Sequence, residues 1–181
     1  MIEIEKLRSN NWRQCLVFPA EATDDIADSL NFGEKPTVGS RWMVITHSCD
    51  INSPSPIEKW IEIILITPIG KQDNAYIHGR HPRCYHLKTP GNAWYEARIE
   101  NRFCVDRGFC AKYTPCTNVS ISKEDMRAIV KWVTYRYVRS AFPDNFNSRI
   151  RPQKEYLKKL LRQNESELLC GLFISLSSND D

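Results

Sequence analysis

Two apolar runs constrain this chain more than anything else in it: residues 41–46 (RWMVIT) and 60–67 (WIEIILIT). Both are dense in β-branched and aromatic side chains and too short for helices, so they predict two buried strands. Between them lies INSPSP, where two closely spaced prolines fix φ and remove ladder donors, which makes residues 51–56 a loop. A first strand is expected over residues 12–18 (WRQCLVF), closed by Pro19. Residues 21–30 (EATDDIADSL) form a short acidic amphipathic stretch, with Thr23 the candidate cap ahead of Asp24 and Asp25.

Further along, residues 75–77 and 85–87 are short strand candidates, and residues 94–103 (WYEARIENRF) alternate as another strand. Residues 109–113 and 118–121 are also candidate strands. Ser122 followed by Glu124 and Asp125 then predicts a helix over about 123–141, with Met126, Ile129, Val130, Val133 and Tyr137 as its apolar face. Pro143 ends it. A second helix over 153–164 and a final strand over 168–176 complete an α+β pattern.

The formal charge of +3 over 181 residues hides a strong asymmetry. Residues 127–162 hold ten Lys or Arg against Asp144 and Glu155, a net of +8, while residues 1–75 are net negative. Arg127, Lys131 and Arg139 share a helical face with Tyr135. Cations spaced in this way can neutralise successive phosphates, and an interleaved Tyr can stack on an unpaired base. A helix with a charged solvent side gives the same pattern, and no helix-turn-helix or RNP motif is present.

The first apolar run ends in His47-Ser48-Cys49-Asp50, a composition suited to a site at a strand end. In an extended chain His47 and Cys49 point to one side, so the imidazole can take the thiol proton, and Asp50 can orient a base. The bland alternative makes Ser48 and Asp50 turn residues and Cys49 a small filler. A second polar run, HGRHPRCYH, carries His78, His81, Cys84 and His86, whose spacing allows zinc ligation. No C-x2-C pair supports it, so no metal and no cofactor is expected. Arg80 and Arg83 in the same run make a phosphate-contacting loop the competing reading. Phosphate-cradling glycine motifs, G-x-S-x-G and H-E-x-x-H are all missing.

The seven cysteines are an odd number, with no apolar leader at the start of the sequence and no run long enough to cross a membrane. A cytoplasmic protein with free thiols is therefore expected.

The runs V-G-S-R-W-M-V-I-T-H-S and W-I-E-I-I-L-I-T-P-I resemble the core of the MazF/PemK growth-inhibitor toxins. F-C-V-D-R-G-F-C-A-K-Y-T-P followed by S-I-S-K-E-D-M-R-A-I-V is similar to that family's closing segment. The likeness covers about residues 38–137. It implies a small SH3-like antiparallel β-barrel, often a homodimer, and a toxin–antitoxin or phage-defence setting with a cognate protein partner. It also implies a metal-independent endoribonuclease, in which Arg41 matches the family's Arg and Thr67 approximately its Thr. Trp42 stands where the family has Pro, and H-S-C-D has no counterpart in it.

The expectation is thus one domain, with a barrel body over 1–122 and a basic helical extension over 123–181. RNA is the leading partner. If RNA is cleaved, Arg41 stabilises the phosphorane and His47 moves the proton, with Cys49 and Asp50 lining the pocket. The alternatives are a non-catalytic module that binds nucleic acid or protein, and a Cys-dependent enzyme acting on a small molecule.

Overall fold

The two apolar runs pair with each other. In the computed structural model, which describes residues 4–55, 57–79, 81–89 and 91–138, β1 (Arg41–Val44) lies antiparallel to β2 (Trp60–Ile69), Arg41 opposite Ile66 and Val44 opposite Ile63. β3 (Cys84–Lys88) and β4 (Trp94–Asp106) complete a four-stranded antiparallel sheet in the order β1-β2-β4-β3. β2 is central. Its Ile61, Ile63 and Leu65 are buried on one face, and Ile64 and Ile66 on the other. That double burial is why the strand is apolar at nearly every position instead of at alternate ones.

Helices cover both faces, giving an α+β protein. One face packs under α1 (Ile4–Ser9), α2 (Ala22–Ser29), α3 (Ser48–Ile51) and α4 (Gly108–Lys112). Trp42 is the hub there: its ring meets Phe32 and Phe103 edge-on at 5.8 and 5.9 Å, and its Nε1–H donates to Thr23 O at 3.1 Å. The opposite face carries α5 (Lys123–Val138), which buries Ile129, Trp132 and Val133 over Met43, Ile64, Tyr85 and Ala97. Ser122 caps α5, its Oγ accepting the Asp125 N–H at 3.0 Å.

Several expectations need correction. The sheet is open among the described residues, because β1 and β3 are its ends and do not pair with each other. A closed SH3-like barrel is therefore not formed by these strands. A small barrel strand buries one face against the barrel's interior, whereas here helices bury both. Residues 12–18 are not a strand: Cys15 sits at φ +64°, and only Val17 makes a ladder bridge, to Met43. Thr23 lies inside α2, its hydroxyl donating to Ser40 O at 3.3 Å, and Glu21 occupies the cap position. Residues 109–113, expected as a strand, fall largely within α4.

Of the apolar face expected for α5, Tyr137 is exposed, and Trp132 takes its place in the core. The described residues belong to a compact unit that ends at Val138. The expected second helix and final strand, Cys170, Arg80 and Arg139 lie outside the described residues.

One backbone position carries a direct prediction. Gly39 holds φ +87°, and a Cβ there would sit 3.0 Å from Pro68 Cγ. Gly39→Ala is expected to cost about 1–3 kcal/mol by urea denaturation, since left-handed strain and the Pro68 contact act together. A midpoint equal to that of the wild type would refute this.

Candidate functional site

Strand register separates the residues expected to act together. Arg41 stands opposite Ile66, whose side chain lies on the α5 face. Thr67 follows Ile66, and side chains alternate along a strand, so Arg41 and Thr67 emerge on opposite faces. Thr67 Oγ1 instead receives Ser40 Oγ at 3.4 Å, and Ser40 in turn meets Thr37 at 2.9 Å. Arg41 is half-buried; its Nη1 donates to Ser40 O at 2.7 Å, and its buried Nε has no partner. His47 follows the far end of β1. The four residues of β1 alone advance about 10 Å, which sets His47 beyond the opposite end of the strand from Arg41.

At that far end the chain turns into α3 instead of continuing extended. His47 is the N-cap, and its Nδ1 accepts the Cys49 main-chain N–H at 3.3 Å. The imidazole is thus engaged with the backbone of Cys49, while the side chains of His47, Cys49 and Asp50 are all exposed. Gln14 secures this turn, its N–H donating to Ser48 Oγ at 3.1 Å and its Nε2 to Ile45 O at 2.6 Å.

Sequence reasoning missed Arg107. It is 1% exposed and sits at the end of β4, pointing under the loop after α3. Nη1 donates to the carbonyls of Asp50 (3.1 Å), Ile51 (3.4 Å) and Ser53 (2.8 Å), and Nη2 to that of Ser55 (3.2 Å). A planar, multi-donor cation is suited to gathering carbonyls that no ladder satisfies.

Of the expected nucleic-acid contacts, Arg127, Lys131 and Tyr135 share one groove. A groove of about 540 Å³ runs along α5, lined by Lys123, Arg127, Lys131 and Tyr135 with Met126 and Val130, while Gln14 contributes from outside the helix. The three cations and Tyr135 recur every fourth residue, so they form one row. Arg127 and Lys131 are exposed, Tyr135 is 62% exposed, and neither cation forms an ion pair among the described residues. At the end of α5, Tyr137 bonds and stacks on Arg102, which pairs with Glu62 at 2.6 Å. Arg83 is exposed on the loop before β3, and it does not line the groove.

The histidine-rich run does not gather as one cluster. His78 is exposed, and His81 is tied through its carbonyl to Trp132 Nε1–H at 2.8 Å. Cys84 and His86, two apart on β3, turn instead to Glu96, which register places opposite His86 on β4. Cys84 Sγ lies 3.2 Å and His86 Nε2 3.3 Å from Glu96 Oε2, while Arg98 Nε reaches Oε1 at 2.6 Å. The Asp73 N–H donates to His86 Nδ1 at 3.0 Å, so a neutral ring carries its proton on Nε2, aimed at Glu96. Burial, reinforced by Glu96, pushes the Cys84 thiol up to about 12.

Burial alone would raise the Glu96 carboxyl, but hydrogen bonds from Arg98, Cys84 and His86 outweigh it and hold it below its ordinary 4.5. A folded-state value below the unfolded one stabilises above pH 4.5 and fades as pH falls through the lowered value. Glu96→Gln is therefore expected to cost about 1–2 kcal/mol at neutral pH and much less near pH 3. Urea midpoints at the two pH values check this, and an equal loss at both would overturn it.

Among the described residues no helix is long and apolar enough to cross a membrane. The fold and sites define an α+β protein with a doubly covered open sheet, a basic groove on one covering helix and a Cys-His-Glu cluster at the β3 edge. Compared with protein-family models, curated proteins and solved structures, the chain has no match.

Proposed function

We propose that this protein binds nucleic acid, with RNA the leading candidate, through the α5 groove and without catalysing its turnover. The observation that carries the reading is the row Lys123, Arg127, Lys131 and Tyr135 along a groove with apolar Met126 and Val130. Four residues of α-helix advance about 6 Å, close to the separation of successive phosphates on a polynucleotide. Each cation that meets a phosphate releases condensed counterions, and an exposed Tyr offers a face to a base.

The toxin-type, RNA-cleaving version of this reading draws on the MazF/PemK likeness. It asks Arg41, His47 and Thr67 to meet at one phosphate, whereas the β1–β2 register directs Arg41 and Thr67 to opposite faces and His47 lies beyond the other end of β1. Binding without turnover asks only for α5, so it is the version the geometry favours. The Cys-dependent reading has exposed Cys49, but the Nδ1 of its neighbour His47 is occupied by a backbone amide.

The test measures binding of a labelled RNA and the matching DNA oligonucleotide across a salt series. Wild type is expected to bind with log K falling linearly in log salt, and Arg127→Ala with Lys131→Ala to reduce the slope by about two. Affinity should drop roughly tenfold or more at low salt. Salt-independent binding, or a double variant that binds like wild type, would overturn the reading. Cleavage of the RNA by wild type, lost in Arg41→Ala, would replace it with the nuclease version.

A further inference from the structure

The cluster at the edge of the sheet takes no part in the α5 groove, and its chemistry points elsewhere. Cys84 and His86 share a face because two residues complete one period of a strand, and antiparallel pairing fixes Glu96 opposite His86. A thiol, an imidazole and a carboxylate, each from a rigid strand position, thereby come within 4.8 Å of one another. Cys84 and His86 are 4% and 5% exposed, while Glu96 keeps one side toward solvent.

We infer that Cys84, His86 and Glu96 form a three-ligand site for a transition-metal dication of the zinc type, with its fourth position open. Tetrahedral zinc holds sulfur at about 2.3 Å and nitrogen or oxygen at about 2.0–2.1 Å, which sets ligand-to-ligand edges near 3.3–3.5 Å. Two of the three edges are already at that length, 3.2 Å from sulfur to oxygen and 3.3 Å from nitrogen to oxygen; the third, sulfur to nitrogen, is bounded at 4.8 Å, and rotation of the two side chains on β3 closes it as the ion binds. A mixed sulfur, nitrogen and oxygen set suits zinc or cobalt better than calcium or magnesium, which take oxygen. Thiolate and carboxylate together supply two negative charges to a divalent ion. Arg98 engages only Oε1, so Oε2 remains the ligand atom.

The proton balance identifies what must move. Cys84 gives up its S–H proton to solvent as the Sγ–metal bond forms. His86 gives up the Nε2 proton and carries one on Nδ1 instead, so the ring stays neutral. Nδ1–H would then face the Asp73 N–H, donor against donor, and that amide must turn away. The Asp73 carboxylate, whose Oδ1 now accepts the Ala75 N–H at 2.8 Å, belongs to the same residue and can accept from Nδ1–H in its place. Occupancy of the site is thus coupled to the loop around Asp73. His78 and His81 are not ligands: one is exposed, and the Nδ1 of the other accepts the Arg83 N–H at 3.3 Å.

Cobalt(II) titration of the reduced 181-residue chain tests this. One equivalent is expected to bind with a thiolate-to-cobalt charge-transfer band and four-coordinate visible bands, and zinc should displace it. Cys84→Ser should abolish the charge-transfer band, and His86→Ala should abolish stoichiometric binding. His78→Ala and His81→Ala should bind like wild type. The wild-type protein supplies a readout independent of variant folding: nitrogen NMR should show His86 pass from the Nε2–H to the Nδ1–H form on adding zinc, with the Asp73 amide shifting. No stoichiometric binding, a charge-transfer band that survives Cys84→Ser, or an unchanged His86 ring in the zinc-bound protein would overturn the site.

Discussion

Arg107→Met is expected to destabilise the protein by about 3–5 kcal/mol, the upper range for a single substitution. The guanidinium is fully buried and has no carboxylate partner among the described residues; four main-chain carbonyls between Asp50 and Ser55 hold it instead. Two of them, Asp50 and Ile51, end α3, where exposed carbonyl dipoles favour a cation. Met fills the space of the aliphatic stem but withdraws the donor from the Ile51, Ser53 and Ser55 carbonyls, while Asp50 O keeps the Ser53 N–H at 3.3 Å; each buried acceptor so stranded costs about 1–3 kcal/mol. The buried Nε has no partner, so removing it offsets part of the loss. Lys should rescue only partly, because one ammonium cannot span carbonyls gathered by two arms of a fork. Urea denaturation gives the loss, and amide exchange should accelerate across residues 48–55 while α5 stays protected. A Met variant with a wild-type midpoint would show that the loop supports itself.

Why Arg107 was invisible in the sequence, while β2 was plain, comes down to what each feature leaves in the local pattern. WIEIILIT announces itself because both of its faces are buried, and that same unbroken run argues against a barrel, whose strands would alternate. α5 is legible from Ser122 and the 3.6-residue period, although the pattern names Tyr137 where the core takes Trp132. α3 and α4, at four and five residues, are too short to express any period. Arg is ordinarily a surface residue, so nothing local marks one that is buried under a loop fifty residues earlier in the chain.

The candidate sites divide in the same way. The basic row is local to one helix, and the sequence displayed it. The expected pairing of Arg41 with Thr67 depended on which face each strand position takes, and the register β1–β2 was needed to see that they diverge. Glu96 joins Cys84 and His86 only through the β3–β4 pairing, so the run HGRHPRCYH suggested His78 and His81 as partners when the third donor lay on the next strand.

Trp132→Ala tests whether the groove depends on α5 being docked or only on its charge. Trp132 is 5% exposed, packs 5.6 Å from the Tyr85 ring and ties α5 to His81 O through its indole N–H. Truncating a buried Trp costs about 3–5 kcal/mol through lost contacts and the cavity left behind. Here the cost should fall on the α5 side of the sheet, with the Trp42 side, which packs under other helices, keeping its protection from amide exchange. A 16-residue helix is marginal in water without tertiary packing, so release of α5 also releases the spacing of Lys123, Arg127 and Lys131. Every cation remains in the chain, yet RNA affinity is expected to fall about tenfold or more, because ordering the helix must then be accomplished on binding. The contrast with Arg127→Ala and Lys131→Ala lies in the salt slope: those substitutions lower it, whereas Trp132→Ala should weaken binding at every salt concentration with less change of slope. Unaltered affinity in a variant whose α5 amides exchange freely would mean that charge density alone attracts the RNA, and that the groove contributes nothing to recognition.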